Sequence, residues 1–276
     1  MSKTRFVPLL AALLLVSGAP AFSASSDQDK EDVQNSIIRY KAAIEVNPGN
    51  PATRVKLGNM YLISGDLEKA IEEYRAAAKL NPKELDAHTG MARAYTRKRD
   101  FASAINAYKE ALKYDANNAD FHFKVGQLYT HSRNDDAAIG AYRQSIKFNP
   151  NHGPAHRELG AALGLKGDLE TQILEEKKAI EITPNDPDAH YYLGSAYLAQ
   201  NKPAEAQKSF ERAVALDSKH AEAYHLLAVT QAAQSNFSAA IKSEEAAVQI
   251  DPSNEGFRNT LKKLKAKASA PPAKGK

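Results

Sequence analysis

Four histidines, His88, His122, His156 and His190, stand 34 residues apart, and this ladder is the pattern in the chain that comes nearest to metal chemistry. Successive helices carrying one histidine each would lie about 8 to 10 Å apart, whereas zinc draws every ligand nitrogen to about 2 Å from one centre. The ladder is therefore read as structural. Charged clusters at Glu68-Lys69, at Glu72-Glu73 with Arg75, and at Glu175-Glu176 with Lys177-Lys178 read as wet helix faces. The sequence contains no Gly-rich phosphate loop, no G-x-S-x-G and no H-E-x-x-H. It has no cysteine, so neither a disulfide framework nor a thiol nucleophile is available. The expectation is a chain with no catalytic residues, no metal and no cofactor.

The histidine spacing is the period of the whole chain. Six blocks of 34 residues open at Pro51, Leu85, Ala119, Gly153, Pro187 and Ala221 and follow one another without insertion, spanning 51–84, 85–118, 119–152, 153–186, 187–220 and 221–254. Leu57 and Tyr61, then Ala70, Tyr74 and Ala77, fall at helical spacing, with Gly65-Asp66 between them as a permissive turn residue and an N-cap acceptor. Asn50-Pro51 and Asp186-Pro187 place a capping side chain before a proline at the first helical position. Asn81-Pro82 and Asn149-Pro150 end the second helix of their blocks. Each block is thus expected to be a helical hairpin that buries its apolar face only against its neighbours.

Small residues recur at the eighth place (Gly58, Ala92, Gly126, Gly160, Gly194, Ala228), with aromatic rings at most eleventh and twenty-fourth places (Tyr61, Tyr95, Tyr129, Tyr197; Tyr74, Tyr108, Tyr142, Phe210). With alanine at most twentieth places and proline at Pro82, Pro150, Pro184 and Pro252, the pattern resembles the tetratricopeptide repeat family. The resemblance implies an all-α, right-handed superhelical solenoid of six repeats. A helix over residues 24–50 would close one end, and an amphipathic helix over 255–265 (Phe257, Leu261, Leu264) the other. It also implies that the first helix of each hairpin faces a concave groove, placing Asn59, Arg93, Arg97, Phe123, Gln127, Arg157, Tyr191 and Ser195 on that surface. The arginines could grip carboxylates and the rings could anchor an extended segment of a protein or peptide partner. The carboxylate clamp of chaperone-binding arrays is incomplete here, since Val55, Gly90 and Asp120 stand where it needs lysine, asparagine and lysine.

Lys3 and Arg5 precede an apolar stretch from Phe6 to Val16 and a run of small residues, the layout of a signal peptide over 1–23 cleaved near Ala21 or Ser23. Periplasmic export is expected, with secretion as the second reading. The formal charge of +4 falls to +2 without Lys3 and Arg5, and the residues from Glu255 onward carry +6, which leaves −4 on residues 24–254. An acidic body is a poor nucleic-acid partner. The lysine-rich tail, 266–276, is expected to be disordered and to touch anionic surfaces weakly at most. An envelope tether using that tail is the alternative to a groove-binding scaffold. The fourth block departs from the pattern at Leu163, Gln172 and Glu176, so its seam with the fifth is expected to be the weakest, unless Glu176 reaches water or pairs with a cation such as protonated His190.

Overall fold

The computed structural model describes residues 27–269. The described residues form fourteen α-helices and no strand. The helices that open the blocks begin at Pro51, Leu85, Ala119, Gly153, Pro187 and Ala221, and one more begins at Glu255, the next place in the same register. The chain divides into two compact units at Ala138–Ile139, inside α7 (Asp135–Phe148).

In the first unit, α1 (Asp27–Val46) packs on α2 (Pro51–Ser64), which pairs with α3 (Leu67–Leu80), and α4 (Leu85–Arg97) pairs with α5 (Phe101–Leu112), which meets α6 (Ala119–His131). In the second, α8 (Gly153–Leu165) pairs with α9 (Leu169–Ile182), α10 (Pro187–Ala199) with α11 (Pro203–Leu216), and α12 (Ala221–Ala233) with α13 (Phe237–Ile250), which packs on α14 (Glu255–Ser269). Local chemistry sets these bounds. Asn50 caps α2 by accepting from Thr53 N at 3.1 Å, and Asp66, Asp100 and Asp168 cap α3, α5 and α9 in the same way. The residue before each of these turns is left-handed: Gly65 and Gly167, but also Arg99, Arg133, Asn201 and Ser235 with φ between 57° and 62°. Those four side chains hold a strained conformation that only the packing of the hairpin on both sides can maintain.

The ends are closed by apolar stripes. Ile37 of α1 is buried, with Val33, Tyr40 and Ile44 against Val55, Leu57 and Tyr61. Phe257 of α14 packs with Ala221 and Ala247, and Leu264 with Ala228 and Ala240. Each such side chain contributes about 1.5 to 3 kcal/mol by leaving water. α14 runs on to Ser269, past the expected end at Lys265, because Ala266 and Ala268 continue the helix and Ser269 Oγ donates to the Lys265 carbonyl at 3.0 Å. The signal-peptide assignment over 1–23 and the rest of the tail lie outside the described residues. No described helix is long and apolar enough to cross a membrane.

Candidate partner-binding face

In the first unit, packing between first helices is set by Tyr74, a residue of α3 that is fully buried. Its ring lies against Gly58 of α2 and Gly90 of α4, so close that a Cβ on either would stand 2.7 or 2.5 Å from ring carbons. The hydroxyl emerges beside Asn59 and donates to its Oδ1 at 2.7 Å. Burial pushes the Tyr74 phenol up to about 12 against the opposing charge of Arg93, and burial likewise raises Tyr108, again opposed by Arg93. Arg93 therefore sits within electrostatic reach of both rings. It is exposed and makes no hydrogen bond or ion pair among the described residues.

Arg97 is one turn further along α4, also exposed, and donates to the Leu62 carbonyl in the last turn of α2, where the helix dipole favours a cation. Gln127 of α6 is half-buried and accepts from Lys124 Nζ at 3.0 Å. Phe123 is corrected: it is only 7% exposed and so offers no free ring to a partner.

In the second unit the expected grip is already occupied. Arg157 of α8 bonds to Glu158 at 2.9 Å and to Asp186 at 2.7 Å, with Asp188 at 3.5 Å. Burial works against its charge, but Glu158 and Asp186 outweigh burial and hold it more firmly protonated than an ordinary arginine. The same surroundings, led by His220 with its Nε2 3.5 Å away and joined by Arg157, keep Asp188 below the usual carboxylate range. Arg157 is thus corrected from a partner-facing cation to an internal tie. Tyr191 of α10 is half-buried among Tyr192, Phe210 and His220, with ring centroids at 5.2, 6.1 and 4.8 Å. Ser195 returns its hydroxyl to the Tyr191 carbonyl at 3.0 Å. Of the eight candidate residues, Arg93 and Arg97 remain the exposed cations, with Asn59 and Gln127 on neighbouring helices of the same unit.

The histidine ladder has a clear role. Nε2 of His88, His122, His156 and His190 lies 2.9 to 3.2 Å from the carbonyl six residues earlier, that of Pro82, Ala116, Pro150 and Pro184 respectively. Arg54 and Arg258 stand at the same block position and donate to the carbonyls of Pro48 and Pro252. A donor at the fourth place satisfies a carbonyl in the loop that opens the block, a role that the constant offset from the proline could have suggested. Among the described residues no group of three or more His, Cys, Asp or Glu is placed to hold a metal ion.

Glu176 and Glu244 both have no exposed surface at the place that holds an aromatic ring in the other blocks, so solvent does not reach Glu244 although its block lies near the end of the array. Glu244 receives His225 Nδ1 at 2.9 and 3.0 Å. Neither oxygen of Glu176 has a hydrogen-bond partner among the protein groups. The expectation that Glu176 reaches water or pairs with His190 is therefore overturned. His190 is turned to Pro184, and burial lowers its pKa.

Tetratricopeptide repeat models match residues 89–153 and 188–255 and residues 40–72, and a TPR repeat model matches residues 58–98. The first of these stops at residue 153 and resumes at residue 188, passing over the block that holds Glu176. A comparison with curated proteins yields no match. Among solved structures, the APC/C hetero-tetramer Cut9-Hcn1 superposes with a TM-score of 0.65 at 17% identity over 85% of this chain, which spans 46% of that one. YrrB, a TPR protein with an unusual peptide-binding site, superposes at 0.58 with 22% identity, covering 68% of this chain and 96% of its own. The pilF protein of Pseudomonas aeruginosa superposes at 0.66 with 16% identity, covering 77% and 97%. At such identities the likeness is one of fold. Repeats of this kind generally act as scaffolds for protein interaction, and with its period, its hairpins and these matches the chain belongs to the tetratricopeptide repeat family.

Proposed function

We propose that this protein is a non-enzymatic scaffold of the bacterial cell envelope that holds an extended, carboxylate-bearing segment of a partner protein on the first-helix face of its N-terminal unit. The observation that carries the reading is the pair Arg93 and Arg97 on α4, exposed and without a carboxylate partner among the described residues. Arg93 has no hydrogen-bond partner among the described residues, and Arg97, which donates to the Leu62 carbonyl, has no carboxylate partner, so both guanidinium groups have donors left for bidentate contact with an acidic side chain. Asn59 and Gln127 lie on the flanking first helices and offer amide groups to a peptide backbone. The similar protein YrrB has a peptide-binding site, which favours a peptide as the occupant here. The envelope setting rests on the signal-like residues 1–23.

Crosslinking in envelope extract, comparing the wild-type protein with R93A/R97A, tests the reading. Loss of one specific partner band in the double variant is expected, and an unchanged set of crosslinks in a folded variant would overturn it. The tether reading draws on the lysines of the tail, Lys265, Lys267, Lys274 and Lys276, of which Lys265 and Lys267 are exposed on α14. Removing residues 265–276 separates the two, because a tether would lose its attachment whereas the groove would keep its partner.

A further inference from the structure

The fourth hairpin holds a buried acid and a cation that belong together and are kept apart. In the sixth block, His225 of α12 and Glu244 of α13 stand 19 residues apart and are bonded to each other. Arg157 of α8 and Glu176 of α9 occupy the same two places in the fourth block, at the same spacing. Yet Arg157 turns to Asp186, which caps α10 by accepting from Asp188 N and Ala189 N at 3.0 and 3.3 Å, and its own Nε is buried without a partner. Glu176 is left beneath it against Gly160, with its Oε1 2.5 Å from where a Cβ of that glycine would stand. An ionised carboxylate in that place would be severely destabilising, whereas the protonated acid is tolerable.

We propose that the hairpin of α8 and α9 is a proton-linked latch, in which Arg157 ties α8 to the start of α10 while Glu176 is protonated, and is drawn to Glu176, releasing that tie, when the acid ionises. The inference is independent of the proposed function.

The charged groups around Glu176 are Arg157 and Glu158 on α8, Glu175 beside it on α9, and Asp186 at the head of α10. α10 also brings Asp188, His190, Tyr191 and Tyr192 to this region, and Glu175 is held by His156 at 2.6 Å. Burial is the largest influence and pushes the Glu176 carboxyl well above the usual 4.5; Arg157 opposes it, and the neighbouring acids reinforce it. The folded hairpin therefore holds a proton that the opened one releases, so its stability falls as pH rises above the ordinary carboxylate value. Asp188, lowered, acts only at more acid pH, and His156, raised from 6.5, loses its proton only above that value. His190, lowered from 6.5 by burial, titrates below that value and gives stability that rises with pH there, so the fall between about pH 5 and 6.5 belongs to Glu176 and its size is the difference between the wild type and a variant lacking the acid.

Native-state hydrogen exchange, corrected for intrinsic rates, tests the latch on the folded protein. Relative to E176Q, the opening constant of α8 and of the first turn of α10 is expected to rise about tenfold per pH unit in that window. E176Q, which keeps the volume, should show no loss of protection as pH rises and should be about 30-fold more protected than the wild type at pH 6.5. R157Q should already be open at the start of α10 at pH 5 and should show no further pH step there. A wild-type profile parallel to that of E176Q would overturn the proposal. So would an R157Q slope equal to the wild type at α10, which would leave Glu176 a buried acid with no exchange.

Discussion

Gly90 and Tyr74 allow the seam between the first and second hairpins to be tested one methyl group at a time. A Cβ at position 90 would stand 2.5 Å from two ring atoms of Tyr74, and the ring cannot retreat because Gly58 lies on its other side at a comparable distance. Gly90→Ala should therefore cost about 1 to 3 kcal/mol of strain in the wild-type background, set against about 1 kcal/mol gained from helix propensity. Tyr74→Ala by itself should cost about 3 to 5 kcal/mol, since the ring is fully buried. With the ring gone the added methyl meets open space, so Gly90→Ala should turn stabilising by about 1 kcal/mol. The double-mutant cycle then gives a coupling of about 1 to 3 kcal/mol. Because a repeat array need not unfold in one step, the assay is local hydrogen exchange in α2 to α4 rather than a single melting temperature. An equal effect of Gly90→Ala in both backgrounds would refute the wedge.

Three further expectations follow from the second unit and the N-terminus. His156 should titrate above 6.5 by NMR, since its hydrogen bonds to Glu175 and Pro150 outweigh the opposing effect of burial; the stability it contributes is complete below 6.5 and lost as pH rises through its folded value, and E175Q should lower the titration midpoint. His225→Ala should cost about 1 to 3 kcal/mol by orphaning the fully buried Glu244, and H225L/E244F should recover most of it; no recovery would mean the pair is not what holds that hairpin. Mass spectrometry of the protein from its native host should find an N-terminus near Phe22 or Ala24, and an intact Met1 on the folded protein would remove the envelope reading.

The period and the hairpins were legible because their causes are local. A proline at the first turn, an Asn or Asp cap, and a small residue opposite a ring all act within one block, and even the start of α14 at Glu255 keeps the register. The turn before the second helix was legible at Gly65, at Gly167 and, through its capping Asp100, at Arg99; Arg133, Asn201 and Ser235 adopt the same left-handed backbone because the helices on either side impose it. The binding face was less legible. Arg93 and Arg157 look alike in sequence, but Asp186 and Asp188 lie about 30 residues beyond Arg157 and capture it, a contact that no pattern within one block reveals. Phe123, assigned to a groove place, is buried. The exceptional character of the fourth block was visible in Gln172 and Glu176, but its outcome differed for each. Gln172 finds the Tyr192 carbonyl at 3.2 Å, while Glu176 finds nothing.

The central claim is that Arg93 and Arg97 receive an extended acidic segment. Selection of a random peptide library on the purified protein lacking residues 1–23, followed by affinity measurement on R93A/R97A, tests it most directly. The account predicts enrichment of peptides bearing aspartate or glutamate, binding that weakens as salt rises, and a loss of at least tenfold in affinity, equal to about 1.4 kcal/mol, in the double variant. Enriched peptides without acidic residues, or acidic peptides that bind R93A/R97A as tightly as the wild type, would contradict it.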